Sequence, residues 1–297
     1  MIVKFSLVFP VMNQLDTFME CLNSFYANAK YPEDISLIII DNGSEPSVAK
    51  SLVPFMIKYP LVKTIIHRNA ENVGVTKSLN QAWQLSKEGC CNPDFLFYSH
   101  SDVLIQEKDW DVKVRNWLEK ISNIGVMGFG GAKGIGREDI YKTPYEIWQL
   151  ARFGFFSNMQ DAEIHGRRMT NEIEPCVVLD GFSLIVNTKL LDEINGFDEI
   201  NYPTHHCYDL DVCLESIKHG YYNFVLNVAS HHLGGVTATR SDYDTWLRNQ
   251  DINGDSEVHA KAHVNFYNKW YGMLPLYWSG NTLYIIGNRK ENNGSDD

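Results

Sequence analysis

The sequence predicts an α/β protein with a mostly parallel β-sheet and helices on both faces. Three observations predict it. Short apolar runs recur through the amino-terminal third, amphipathic segments at helical spacing separate them, and polar residues follow the runs. Apolar strands joined by such helices form parallel sheets buried on both faces. Ligands of these sheets bind beyond the carboxyl ends of the strands, so the polar residues there are the ones to read for chemistry.

Phe5 to Phe9 is the first run and ends at Pro10. Leu15, Phe18, Met19, Leu22, Phe25 and Tyr26 then recur at helical spacing. Ser36 to Ile40 reads as a second strand, closed by the turn-forming Asp41-Asn42-Gly43-Ser44. Val62 to His67 reads as a third strand, Thr76 to Ser86 as a helix, and Phe95 to Ser99 as a fourth strand. From Gly125 to Pro175 the periodicity weakens. The glycine-rich Gly128 to Gly136 stretch lacks the strand-turn-helix setting of a phosphate loop and reads as a mobile active-site loop or a plain connection. Val177 to Val186 reads as a strand and Leu210 to His219 as a helix. Beyond Thr237, Trp246, Trp270, Tyr271, Tyr277 and Trp278 indicate a helical C-terminal tail packed on the body, with Asn292 to Asp297 expected to be disordered.

Composition narrows the function. The chain has 297 residues, is 44% hydrophobic and carries a net charge of −11. That is room for a sizeable core, and the charge argues against a nucleic-acid partner, which requires a basic face. An acidic protein that binds a pyrophosphate must solve the repulsion locally, and a divalent cation is one solution. The six cysteines include no C-x-x-C pair and suggest neither a zinc ribbon nor a disulfide framework. They read as reduced thiols. The opening residues are too short and interrupted for a signal peptide, and no stretch approaches the ~20 apolar residues of a membrane span. The sequons at Asn42 and Asn293 therefore read as accidental. The expected location is cytoplasmic, with at most peripheral membrane contact.

Four local patterns stand at strand ends or helix starts. They are Phe9-Pro10-Val11-Met12-Asn13, Ile40-Asp41-Asn42-Gly43-Ser44, Asn69 to Ala82 with Asn72, Gly74, Lys77 and Asn80, and Phe97-Tyr98-Ser99-His100-Ser101-Asp102-Val103. Further on come Gly196-Phe197-Asp198-Glu199, Tyr208-Asp209-Leu210-Asp211 and His231-His232-Leu-Gly-Gly-Val-Thr237. In this order they resemble the family 2 glycosyltransferases, inverting enzymes of the GT-A fold, over roughly residues 4 to 237. The resemblance implies a nucleotide-sugar-binding half over 1–104, an acceptor and catalytic half of the same domain over 105–237, and a C-terminal extension over 238–297.

It also implies roles. Pro10, Val11, Asn13, Asp41, Asn72, Gly74, Lys77, Ser101 and Asp102 become candidates for the donor site. Asp41 would accept from the nucleoside, although Asp-x-Gly-Ser also makes a good turn. Lys77 would contact a phosphate, or stand as a solvated helix residue. Asp102 occupies the second position of the family's Asp-x-Asp motif, where a hard anionic oxygen would bind Mn²⁺ or Mg²⁺ bridging the donor phosphates. His100 replaces the first aspartate. It reads equally as a ligand, which would favour Mn²⁺, or as a strand-end histidine satisfied by backbone. His232 aligns with the family histidine that completes the metal site, with His231 the alternative, since strand neighbours face opposite ways.

Asp209 is the candidate general base, with helix capping its bland reading. Successive helix positions diverge by about 100°, so Asp211 cannot point into the same site and is structural or supporting. Tyr208, Asp180 and Gly181 are candidates for the acceptor pocket. A zinc site from His205, His206, Cys207, His231 and His232 is disfavoured because adjacent ligands lack the usual chelating spacing. Trp148, Trp246 and Trp270 are candidates for stacking on sugars, with core packing as the default. The expected partners are a nucleoside-diphosphate sugar, UDP-sugar favoured, and a carbohydrate acceptor. Two rivals are a non-catalytic nucleotide-sugar or glycan-binding module and a sugar nucleotidyltransferase. The second usually shows a glycine-rich loop with Arg and Lys that the Pro10 to Leu15 loop lacks.

Overall fold

Residues of a strand alternate between the faces of its sheet, so a strand apolar at every position must be buried on both sides. In the computed structural model, which describes residues 3–88, 91–137, 152–160, 166–234 and 241–287, Leu37 and Ile39 enter one hydrophobic cluster while Ile38 and Ile40 enter another. Phe95 and Phe97 separate from Leu96 and Tyr98 in the same way. One core is rich in aromatic edges: Phe25 meets Phe9 at 5.6 Å and Trp110 at 5.3 Å between ring centroids.

The strands in chain order are β1 (Phe5–Val11), β2 (Ser36–Asn42), β3 (Thr64–Asn69), β4 (Phe95–Ser99), β5 (Val103–Ile105), β6 (Ile124–Gly128), β7 (Gly130–Ile135) and β8 (Arg152–Ser157). They continue with β9 (Arg167–Arg168), β10 (Ile173–Cys176), β11 (Val178–Leu179), β12 (Ser183–Asn187), β13 (Tyr222–Leu226), β14 (Ser230–His232), β15 (Leu276–Ser279) and β16 (Thr282–Ile285). The central sheet has the order β10-β13-β6-β12-β4-β1-β2-β3. Its β1–β2, β1–β4, β2–β3 and β6–β13 pairs are parallel. β12 runs antiparallel to β4 and β6, and β10 antiparallel to β13. The Leu15–Asn28 and Trp110–Lys120 helices cover one face, through Phe18, Phe25, Trp110 and Val114. The Val75–Glu88 and Tyr208–Lys218 helices cover the other, through Leu79, Trp83, Leu210 and Leu214. Among the described residues no helix is long and apolar enough to cross a membrane.

Three expectations are corrected. The glycine-rich stretch is not a loop: it forms the end of β6 and all of β7. Its glycines answer close packing, since a Cβ at Gly128 would stand 2.3 Å from the Ser183 carbonyl oxygen. The strand expected over Val177 to Val186 is two strands. β11 pairs with β7 and β12 enters the central sheet between β4 and β6, so the chain must turn at Asp180-Gly181-Phe182. The tail is only partly helical. After the Ser241–Asn249 and Asp255–Trp270 helices comes the β15–β16 hairpin, which extends a second sheet through Leu276 opposite Ile135. Trp148 and the Asn292 to Asp297 segment lie outside the described residues.

The second tail helix is tied to the body by buried charge. Asp211 accepts from the Trp270 indole at 2.8 Å and the Tyr202 hydroxyl at 3.2 Å. The Lys269 ammonium lies 2.9 Å from Asp211, 3.1 Å from Asp198 and 3.1 Å from Glu215. Removing one partner of a buried, hydrogen-bonded pair leaves the others unmatched. We therefore expect Asp211→Ala to reduce the unfolding free energy by about 3 kcal/mol, read from urea denaturation. A change indistinguishable from zero would show that this network is not a fastening.

Candidate active site

The carboxyl ends of β1 and β4 open a crevice, and two further pairings bring distant segments to it. After β4 the chain turns through His100-Ser101-Asp102 into β5, which pairs antiparallel with β14 so that Val103 faces His232. The Leu233 amide then donates to the Asp102 carbonyl at 3.0 Å. On the other side, β12 lies against β4 with Ser183 opposite Ser99, and the His100 amide donates to the Phe182 carbonyl at 3.0 Å. Asp180 and Gly181, in the turn before β12, thereby reach the same place. The Tyr208–Lys218 helix starts beside them, with Asp209 in its first turn.

These elements enclose a cleft of about 460 Å³. Pro10, Val11, Asn72, Gly74, His100, Ser101, Asp102, Asp180, Gly181, Tyr208, Asp209 and His232 all line it. So do Met12, Thr204, His205, His206, Tyr243 and Trp246.

One wall gathers three metal-ligating groups. His100, Asp102 and His232 each direct a ligand atom so that all lie within 4.8 Å of one another. His232 Nε2 is 3.3 Å from Asp102 Oδ1 and 3.3 Å from His100 Nδ1. The His232 ring stacks on Phe182 at 5.2 Å, which fixes its plane. Burial, helped by His232, lowers the His100 pKa to about 4, so the imidazole is neutral at physiological pH. Burial pushes Asp102 up, but the His232 hydrogen bond and the His100 ring outweigh it and keep the carboxyl below its ordinary value. One anionic oxygen and two imidazole rings are a donor set that fits a divalent first-row ion. His231, one residue earlier on β14, is not among the cleft-lining residues.

Asp209 is 5% exposed and accepts from the Gly181 amide at 2.9 Å and the Leu210 amide at 3.0 Å. Gly181 has no room for a side chain: a Cβ there would lie 2.6 Å from the Tyr208 hydroxyl and 3.2 Å from Asp209 Oδ2. Burial first, then the neighbouring Asp180, raises the Asp209 pKa to about 6, while the buried Arg152 of β8 opposes the rise. Such a carboxylate accepts a proton more readily than an ordinary aspartate yet remains mostly ionised near neutrality.

Three expected donor residues are not brought to the cleft. Asp41 is 1% exposed, and its oxygens accept from the Ser44 amide at 2.8 Å, the Val48 amide at 3.1 Å and the Arg68 guanidinium at 2.8 Å. It holds a turn together, and Arg68 reaches it because β3 lies beside β2 in register. Asn13 clamps the same region, through Ser44, Glu45 and Asp242. Lys77 is exposed and lines a separate depression with His67 and Asn80. Of the tryptophans, Trp270 is buried on Asp211, whereas Trp246 lines the cleft and donates to the Asn72 carbonyl at 2.8 Å. Sequence reasoning missed Arg152, Thr204 and Tyr243. Arg152 falls in the unpatterned region and Tyr243 in the tail, where no local motif flags either.

Residues 6–170, more than half of the chain, match the model of glycosyl transferase family 2. No match is found among curated proteins. Among solved structures, the mannosyltransferase PcManGT from Pyrobaculum calidifontis, in complex with GDP-Man and Mn²⁺, is similar with a TM-score of 0.53 and 15% identity, over 90% of this chain and 71% of that one. S. aureus TarS 1-349 in complex with UDP-GlcNAc gives 0.51 and 16%, over 91% and 73%. GalNAc-T7 with UDP, GalNAc and Mn²⁺ gives 0.55 and 13%, over 78% of this chain but 44% of that one. At these identities the likeness is one of fold, the GT-A fold.

Proposed function

The chain belongs to glycosyl transferase family 2, and from that premise we propose that it moves a hexosyl group from a nucleoside-diphosphate sugar to a carbohydrate hydroxyl, with inversion at the anomeric carbon. The observation that carries this reading is the meeting of the His100, Asp102 and His232 ligand set with a raised-pKa Asp209 in one cleft. Similar structures hold GDP-Man, UDP-GlcNAc, or UDP with GalNAc, two of them with Mn²⁺. Here we favour a UDP-sugar and, because two of the three ligands are imidazoles, Mn²⁺ over Mg²⁺.

His100, Asp102 and His232 would hold a divalent ion, which would supply electrophilic stabilisation of the departing diphosphate. The protein's own groups do the rest. Asp209, which lines the cleft, takes the acceptor proton, while the Gly181 amide fixes its orientation. Asp180 and Tyr208 line the pocket where acceptor or sugar hydroxyls bind, and Pro10, Val11, Asn72 and Ser101 contact the donor. Trp246 presents an aromatic edge suited to a nucleobase or sugar ring. We assign donor binding to 1–104, acceptor binding and catalysis to 105–237, and a supporting role in glycan or polysaccharide synthesis in the cytoplasm, with at most peripheral membrane contact.

Positioning should matter as much as chemistry. A Cβ in Gly181→Ala crowds the Tyr208 hydroxyl and Asp209 Oδ2, and misplacing a catalytic group by as much as about 1 Å costs about 100-fold in rate. The expected result is a fall in kcat of that order with Mn²⁺ affinity unchanged. Retention of full kcat would separate Gly181 from the base.

The reading is tested by incubating the protein with UDP- and GDP-sugars, Mn²⁺ and a panel of glycan acceptors. Acceptor-dependent release of nucleoside diphosphate, with an inverted anomeric proton in the product's NMR spectrum, is expected. Pyrophosphate release from sugar phosphate and nucleoside triphosphate would transfer the protein to nucleotidyltransfer. Nucleotide-sugar binding without turnover would make it a binding module.

A further inference from the structure

The cleft has a second cluster of metal-ligating side chains that the transfer reaction does not use. His205, His206 and Asp255 place one ligand atom each within 4.8 Å of one another. Asp255 Oδ1 is 2.9 Å from His205 Nε2 and 3.2 Å from His206 Nε2. The Tyr243 hydroxyl stands 3.2 Å from the same carboxylate oxygen and 2.9 Å from His205 Nδ1.

Adjacent residues ordinarily point apart, and for that reason neighbouring histidines make poor chelators. The backbone resolves the difficulty. His206 and Cys207 both adopt left-handed conformations, with φ of 68° and 60°. Each such non-glycine residue costs roughly 1–2 kcal/mol. With His206 in that conformation the two rings lie 3.9 Å apart between centroids and 35° between planes, both facing Asp255. Asp255 comes from the first turn of the second tail helix, after Gly254. His259, one turn along that helix, packs edge-on against the His206 ring at 4.7 Å.

We propose that His205, His206 and Asp255 form a second binding site for a divalent first-row transition ion, separate from the His100, Asp102 and His232 site. Two imidazoles and a carboxylate are the donor set that suits Zn²⁺ and its neighbours. His205 and His206 line the cleft, which provides an entry path and leaves coordination positions open to water or a bound molecule. The inference does not depend on the transfer reading, since it concerns occupancy alone. Its rival is an ion-free cluster in which Asp255 accepts two imidazole N–H bonds.

The test is a count of bound ions. The chelator-stripped full chain is dialysed against Zn²⁺, freed of excess, and analysed by elemental mass spectrometry. Asp102→Asn, which disables the first site, should still bind about one ion per chain, and adding Asp255→Asn should remove it. Loading the Asp102→Asn protein with Co²⁺ should give the visible band of a histidine-ligated ion. That band should vanish in Asp102→Asn/His206→Gln, which leaves the start of the tail helix intact. A thermal melt on each variant distinguishes a lost site from a lost fold. An Asp102→Asn protein that folds and binds no ion, or a band unaffected by changes at both Asp255 and His206, would overturn the proposal.

Discussion

Asp209→Asn is expected to bind donor as the wild type does and to lose transfer by about 100- to 10,000-fold, the usual worth of a positioned general base. The substitution preserves shape and removes only the ability to take the acceptor proton. Asparagine keeps one oxygen for the Gly181 amide, so the loop stays in place. The cost is one backbone amide, that of Leu210, left without its carboxylate partner. Against that stands the relief of a buried charge.

The sign of the pH dependence follows from the raised pKa of about 6. The folded state holds the Asp209 proton more tightly than the unfolded chain does. Its contribution to stability is therefore complete below the ordinary carboxylate value and is lost as pH rises through about 6. Activity runs the opposite way, since the base works only when ionised. The wild-type kcat should fall below pH about 6, and the residual rate of Asp209→Asn should lack that limb. A variant with wild-type kcat would remove Asp209 from the mechanism.

Asp102→Asn is expected to weaken Mn²⁺ binding by more than about 100-fold, because even supporting partners of metal ligands are worth 10–100-fold. Asp102 is the only anionic member of its cluster, and His232 Nε2 sits 3.3 Å from its Oδ1. Without that charge, two imidazoles remain to hold a hydrated dication. The measurement is Mn²⁺ titration by calorimetry or by water-proton relaxation. Unchanged affinity would show that the ion binds elsewhere. His231→Ala, by contrast, should leave the titration as it is, since β14 turns that ring away from the cleft-lining set.

The parts of the fold legible in the sequence are those where local pattern and tertiary environment agree. The Leu37 to Ile40 run of β2 and the Phe95 to Tyr98 run of β4 are apolar at every position because both faces are covered, and the Leu15–Asn28 helix carries its buried residues at helical spacing. From Gly125 to Val186 the agreement fails. Short strands such as β9 and β11, of two residues each, owe their existence to a partner across the second sheet and not to their own propensity. The glycines of β7 record close contacts, with the Phe182 and Phe153 rings and the Val178 carbonyl, that no local pattern reveals.

The candidate site divides along the same line. His100, Asp102, Tyr208 and Asp209 stand at strand and helix ends, where an α/β sheet concentrates ligand contacts. His232 joins them through the β5–β14 pairing, a contact across 130 residues of chain given by the family pattern and by no periodicity (His232 to Asp102). Asp41 illustrates the opposite case. A strand-end aspartate reads as ligand-facing until Arg68 on the next strand takes its oxygen. A zinc site from His205, His206, Cys207, His231 and His232 is disfavoured on spacing, and the structure instead joins His205 and His206 to Asp255, because a left-handed residue and a tail carboxylate are invisible to a spacing rule.

The central claim is that nucleotide sugar and divalent ion bind together at Asp102. Thermal unfolding with a panel of UDP-, GDP- and dTDP-sugars, with and without Mn²⁺, tests it most directly, since a ligand that binds only the folded state raises Tm by mass action. One donor class is expected to stabilise the wild type only when Mn²⁺ is present, Asp209→Asn to keep this shift, and Asp102→Asn to lose it. Equal stabilisation with and without the ion, or a shift that survives in Asp102→Asn, would contradict the claim.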